Sequence, residues 1–326
     1  MRRPGLTSAI LSTAELGGCS GSQSALNPFG PEAHELVGLF WLFTAILTAV
    51  WILTMAALLW ALVARRSESQ RNQSSMVRSV GAAVAATVVV LIVLTGLSYA
   101  TQSRLYRSQS GETLRVHVTG HQWWWEVRYD DPQPKNVFST ANEIHIPAGQ
   151  PVEVTLTTAD VIHSFWVPGL FGKMDLINGI ENRISFSATK PGTLRGQCAE
   201  FCGLQHAHMS FIVVVEAPEA FERWRAAQLQ SAQTPRSARG EQIFMNKPCV
   251  SCHTVRGTLA GGRVGPDLTH VASRTSIAAG ALPMTRGALA AWIVDPQNIK
   301  PGSNMPPVEL KPSEIHPLLD YLEGLR

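Results

Sequence analysis

Residues 198–209 read CAEFCGLQHAHM, with Cys198 and Cys202 four positions apart and His206, His208 and Met209 close behind. A disulfide would use the two thiols and leave an imidazole and a thioether without a purpose. Zinc accepts cysteine and histidine but gains little from methionine. Thiolate, imidazole and thioether together are the preference of copper in an electron-transfer site. Two thiolates on one tight turn can bridge a pair of copper ions, and each end of such a pair needs a further ligand. One histidine must then come from a separate strand, and the segment DVIHSFWVP offers His163 between apolar residues.

Outward from this loop, the chain of 326 residues has room for two or three folded units. Its net charge of +3 gives no reason to expect nucleic acid as a partner. The apolar residues are segregated: Leu36–Val63 and Ser79–Ala100 carry no charged side chain. Each run exceeds the ~20 residues a helix needs to cross a bilayer. The loop between them holds Arg65, Arg66, Arg71 and Arg78 against Glu68. Short basic loops stay in the cytoplasm, so both termini are expected outside, and the remainder of the chain with them. Nearer the start, Arg2 and Arg3 precede a short apolar stretch ending in LGGC. That pattern predicts a lipoprotein signal with Cys19 lipidated, the alternatives being a cut elsewhere or an ordinary tail.

Beyond Tyr106 the pattern changes to short β-branched and aromatic runs: TLRVHVTGHQWWWEVRY, EIHIP, PVEVTLTT and FIVVVE, punctuated by Pro and Gly. Such runs predict a β-sandwich or barrel. Three consecutive tryptophans, 123–125, are costly in a strand because alternation forces at least one outward. After Pro218 a helical segment gives way to a polar Pro/Ser linker, Ser231–Arg239. The last block carries Cys249, Cys252 and His253 as CVSCH, the attachment signature of c-type haem: the thiols bond the vinyl groups and the imidazole binds iron. A methionine opposite would raise the potential. Met245 is too near the attachment site. Met305, in the extended KPGSNMPP, is the expected axial ligand, with Met284 as the alternative and His270 and His316 read as structural.

Residues 30–217 resemble cytochrome c oxidase subunit 2, through the paired helices, GHQWWWEV, IHSFWVP, KMD and GQCAEFCGLQHAHM. The tail resembles the class I cytochromes c fused to that subunit in some bacteria. The resemblance implies a multi-domain membrane protein: a segment 1–30, a transmembrane hairpin 31–104, a cupredoxin-like β-barrel or sandwich 105–217, a helix and linker 218–239, and a small all-α cytochrome c domain 240–326. It assigns the binuclear CuA centre to His163, Cys198, Cys202, His206 and Met209, with the Glu200 carbonyl. It implies a magnesium ion at the subunit 1 interface near the side chains of Glu200 and Asp175, expected as a buried pair. Trp123 falls where electrons enter, and His208 matches no ligand. The implied function is passage of electrons from an external cytochrome c or similar donor through haem c and CuA to haem a of subunit 1. Oxygen reduction and proton pumping belong to that partner, with other oxidase subunits around it. Two rivals remain: the small subunit of a CuA-containing nitric oxide reductase, which would share these sites, and a non-enzymatic membrane-anchored haem and copper protein, which would not need the Glu200 and Asp175 pair or Trp123.

Overall fold

The computed structural model describes residues 21–64, 73–105, 112–232 and 237–326. Cys19, Arg65, Arg66, Glu68 and Arg71 lie outside the described residues. Two compact units result, one of residues 32–109 and the other of the remainder.

The first unit is a pair of helices, α1 (Pro31–Val63) and α2 (Gln73–Leu105). At ~1.5 Å per residue each is about 50 Å long, more than the ~30 Å hydrocarbon thickness. Both exceed the uncharged runs because helix continues into polar turns, residues 31–35 before the α1 run and residues 73–78 and 101–105 on either side of the α2 run. There Glu35 of α1 pairs with Arg104 of α2 at 3.5 Å, which sets the helices antiparallel. Leu53, Trp60, Val84 and Ile92 stand exposed on all sides, so neither helix has a polar face. Apolar surface of this kind suits lipid.

The second unit begins with a sandwich of two five-stranded sheets. One sheet orders β3 (Phe138–Ala141), β2 (Trp124–Tyr129), β1 (Leu114–His121), β5 (Pro151–Thr158) and β8 (Asn182–Ser187). The other orders β4 (Glu143–Pro147), β10 (Ser210–Glu216), β9 (Gly192–Cys198), β6 (His163–Trp166) and β7 (Met174–Leu176). Alternate residues face inward, such as Val152, Val154 and Leu156 against Phe211, Val213 and Val215, all buried. Strands β3, β6 and β7 are too short to show period two, and β6 is buried on both faces, so they leave no alternation to read. The tryptophan run is not one strand. Trp123 sits in the β1–β2 turn, Trp124 faces outward and stacks on His121 at 4.3 Å, and Trp125 is fully buried against Phe165 and Phe211.

Helix α3 (Pro218–Gln228) does not act as a spacer. Its Trp224 stacks on His145 at 4.1 Å and its Arg225 pairs with Asp131, which seats it on the sandwich. The linker is also shorter in effect than its composition suggests. Gln230 O accepts from His270 and Ala232 N donates to Arg256 O, both in the C-terminal domain, while Ser237 caps the next helix. Residues 21–30 likewise pack on the sandwich, where Arg195 N donates to Ser22 O and Phe29 exchanges backbone bonds with Gly169 and Thr189.

The C-terminal domain comprises α4 (Ala238–Asn246), α5 (Cys249–Cys252), α6 (Arg286–Val294), α7 (Pro296–Ile299) and α8 (Pro312–Gly324). A two-stranded hairpin of β11 (Ser276–Ile277) and β12 (Leu282–Pro283) interrupts the helices. α4 crosses α8 so closely at Gly240 that a Cβ there would lie 1.9 Å from Pro317 O. Phe244, Ile243, Leu318, Tyr321 and Leu322 form the core around this crossing.

Candidate metal centre and haem cavity

Strand β9 ends at Cys198 and β10 begins at Ser210, so the cysteine loop joins two paired strands; Cys198 N donates to Met209 O at 2.9 Å and closes it. The neighbouring β6 pairs Phe165 with Cys198 and thereby brings His163, from 35 residues earlier, over the loop. The sulfurs of Cys198 and Cys202 are 3.8 Å apart, far beyond the ~2.05 Å of a disulfide. His163 Nδ1 lies 3.8 Å from Cys198 Sγ, His206 Nδ1 3.6 Å from Cys202 Sγ, and Met209 Sδ 3.8 Å from Cys202 Sγ. The Glu200 carbonyl is 3.2 Å from Cys198 Sγ. His163, Cys198, Cys202 and Met209 are buried and His206 is half-buried. His208 points elsewhere, to Gln205 Oε1 at 2.8 Å.

The electrostatics of this cluster favour a soft cation. Cys198 is held below the ordinary thiol range, chiefly by its hydrogen bond with Cys202 and against burial, while the same bond pushes Cys202 up. Thiolate is the ligand form, so metal binding here releases thiol protons. Behind the centre, His163 Nε2 meets Asp160 Oδ1 at 2.8 Å. A carboxylate can only accept, so Nε2 carries the proton and Nδ1 keeps its lone pair toward the thiols. Asp160 also accepts from Gln122 N at 2.6 Å and Val161 N at 2.7 Å. The donor types, their burial and the unbridged thiols fit copper.

The expected acidic pair is not buried. Glu200 and Asp175 are 44% and 39% exposed, and the ammonium of Lys173 stands between them at 3.3 and 3.5 Å. Both acids are half-buried, with Asp175 Oδ1 covered by the chain itself. Lys173 offsets one of their two negative charges.

The second site is a cavity bordered by Cys249, Cys252, His253 and Met305, with Leu289, Trp292, Ile293 and Leu322 as apolar wall. Cys249 and Cys252 are free thiols at the two ends of the single turn α5. His253 Nδ1 lies 2.8 Å from Pro266 O in the loop at residues 265–268, which fixes the proton on Nδ1 and frees Nε2 as a ligand atom. Two buried polar atoms on the cavity wall, Arg274 Nε and Ser276 Oγ, have no protein partner, as anionic substituents of an apolar ring would require. These features fit haem. Met284 does not border the cavity and packs on the domain core with Met245; His270 is buried against Gln230 O, and His316 lies beside Arg286.

The sandwich completes this cavity with Gln122, Trp123, Trp124 and Asn142. Trp123 Nε1 donates to Cys202 O at 2.9 Å, and Gln122 Nε2 donates to the same carbonyl at 2.8 Å. Trp123 thus touches both sites. Sequence reasoning missed Asp160, Gln122, Arg274 and Lys300. Asp160 alone had a local signal, an acid three positions before a candidate ligand.

Residues 133–217 match the family model for the periplasmic domain of cytochrome c oxidase subunit II, and residues 237–326 match that for cytochrome c. The chain is 28% identical to cytochrome c oxidase subunit 2 of Alkalihalophilus pseudofirmus across 96% of this chain and 94% of that protein. It is 31% identical to cytochrome c oxidase subunit 2 of Bacillus subtilis across 73% of this chain and 70% of that one. Among solved structures it is similar to the periplasmic domain of subunit II of cytochrome oxidase of Bradyrhizobium japonicum. That match has 33% identity, 35% of this chain and 92% of that one covered, and a TM-score of 0.32.

Proposed function

The chain belongs to the cytochrome c oxidase subunit 2 family, part of an oxidoreductase complex, and we propose that it is the electron-entry subunit. When bound, haem c and binuclear copper supply one-electron carriers in the order external donor, haem c, CuA, haem a of subunit 1; oxygen reduction and proton pumping belong to that subunit. Cys249, Cys252, His253 and Met305 would hold the haem, the thiols covalently and the imidazole and thioether through iron. Cys198, Cys202, His163, His206, Met209 and the Glu200 carbonyl would hold the copper pair. Burial keeps water off the thiolates, and the buried sheet beneath them resists reorganisation.

One observation carries this reading: Trp123 borders the haem cavity with its ring and donates from Nε1 to the Cys202 carbonyl. A single side chain therefore spans the gap between the two sites. Two apolar helices joined by an arginine-rich loop support a bilayer anchor with that loop inside and both metal domains on the outer face. Metal analysis of the purified complex is the test. Wild type should hold paired copper and covalent haem in this chain. Cys202→Ser should lose the paired-copper spectrum and keep the haem, and a normal paired-copper signal in that variant would overturn the assignment.

A further inference from the structure

We infer that Lys300 pins the haem domain over the copper loop in the register that delivers electrons. The inference rests on the functional reading above and adds a positioning residue to it. Lys300 follows α7 and is 2% exposed. Its Nζ donates to Trp123 O at 2.6 Å, His208 O at 2.8 Å and Ala278 O at 3.1 Å. An ammonium has three donors, and here each has an acceptor. Two of those acceptors belong to the sandwich, one in the entry turn and one in the copper loop. The third lies in the haem domain's own hairpin.

A buried charge is tolerated only where hydrogen bonds replace its water. In an undocked domain Lys300 would return to solvent. In a domain docked a few ångströms out of place it would remain buried and lose two partners. Docking in one register is thereby favoured over neighbouring ones, the use for which buried charges are best attested. Burial pushes the amine down to about 7, and the carbonyls oppose that, because a neutral amine would leave one of them without a donor.

The contacts around Lys300 are weaker in character but consistent in place. Gln205 Nε2 donates to Pro301 O at 2.9 Å. Ser210 donates from N and Oγ to Ala279 O at 3.1 and 3.0 Å. Gly302, at φ +81°, lets the backbone run against Leu204 and the Trp123 ring, where a Cβ would stand 3.3 Å from Leu204. Farther out, Glu143 accepts from Thr275 N and Oγ1 at 2.6 and 2.5 Å. Most are neutral; Glu143 is a buried charge that keeps His145 of its own domain at 3.8 Å if the register slips, whereas Lys300 would lose two of its three partners.

Two measurements on the full complex test this. In wild type, acetylation by an amine-reactive ester, followed by mass spectrometry, should modify exposed Lys135 and Lys190 and spare Lys300. Labelling of Lys300 as fast as theirs would show that the domain leaves its seat, and would overturn the proposal whatever the variants do. In Lys300→Met, both metal spectra should persist while flash-initiated haem-to-copper transfer slows by about tenfold or more, the factor set by ~1.4 kcal/mol of lost docking. The rate should also become viscosity-dependent, which local destabilisation alone would not cause. Lys247→Met, a haem-domain lysine paired with Glu314 outside the interface, should leave the rate unchanged. An unchanged, viscosity-independent rate in Lys300→Met refutes the pin. Absence of haem-to-copper transfer in wild type would instead refute the functional reading, while labelling would still report the docked state.

Discussion

Asp160→Asn separates orientation of a copper ligand from its identity. The carboxylate accepts three hydrogen bonds: His163 Nε2 at 2.8 Å and Val161 N at 2.7 Å on Oδ1, and Gln122 N at 2.6 Å on Oδ2. Asparagine keeps the volume but turns one acceptor oxygen into a donor, so one N–H must face another. If the remaining oxygen stays with His163 and Val161, the Gln122 amide loses its partner at a cost of about 1–3 kcal/mol. The two surviving bonds fall from charge-assisted to neutral strength, about 0.5–1.5 kcal/mol less each. Together these give roughly 2–6 kcal/mol of lost stabilisation in the metallated domain. The share acting through the imidazole should weaken copper affinity about 10–100-fold, as loss of a supporting carboxylate does elsewhere. Competition with a graded copper chelator, followed through the copper absorption, measures that share, and denaturant unfolding measures the whole. Because Gln122 adjoins Trp123, haem-to-copper transfer should slow as well. If the variant holds copper as tightly as wild type and unfolds at the same denaturant concentration, Asp160 does not set the His163 tautomer and the reasoning fails.

Met305→Ala should open the sixth iron position, lower the haem potential and admit carbon monoxide, whereas Met284→Ala, whose side chain packs on the core, should do none of these; spectra with and without carbon monoxide decide. Gly240→Ala would drive a methyl into Pro317 O across the α4–α8 contact, so it should destabilise the haem domain by about 3 kcal/mol in denaturant unfolding, at the upper end of overpacking costs. Burial opposes charge on His145, but the carboxylates of Glu143 and Glu216, 3.8 and 3.4 Å away, outweigh it and raise the pKa above 6.5. With the folded value above the unfolded one, this stabilisation is complete below pH 6.5 and is lost as pH rises through the raised value. Thermal unfolding between about pH 6 and 8 should therefore fall with pH more steeply in wild type than in His145→Gln; parallel curves would count against it.

Much of the metal chemistry could be read from the chain because it is contiguous. Cys198, Cys202, His206 and Met209 lie on one loop, and Cys249, Cys252 and His253 on one turn, so spacing alone constrains which atoms can meet. The two long apolar helices were equally legible, since hydrophobicity over such a length needs no partner to declare itself. Short strands such as β3 and β7 were not, because a few residues cannot establish a period against the background of loops. His163 stood apart from its site until β6 paired with β9. Expected burial failed for Glu200 and Asp175, since exposure is set by what packs above a residue and not by its neighbours in the chain.

The relation between the two sites was decided by tertiary structure alone. Trp123 and Lys300 meet across 177 positions, and Gln205 meets Pro301 across 96. A lysine in KPGSN reads as one more solvated charge, and nothing local distinguishes it from Lys311. Its burial follows from two domains closing on backbone carbonyls, and every residue has a backbone carbonyl. Side-chain patterns report which face of an element turns inward; they carry no information about where one domain's backbone acceptors will meet another's charge.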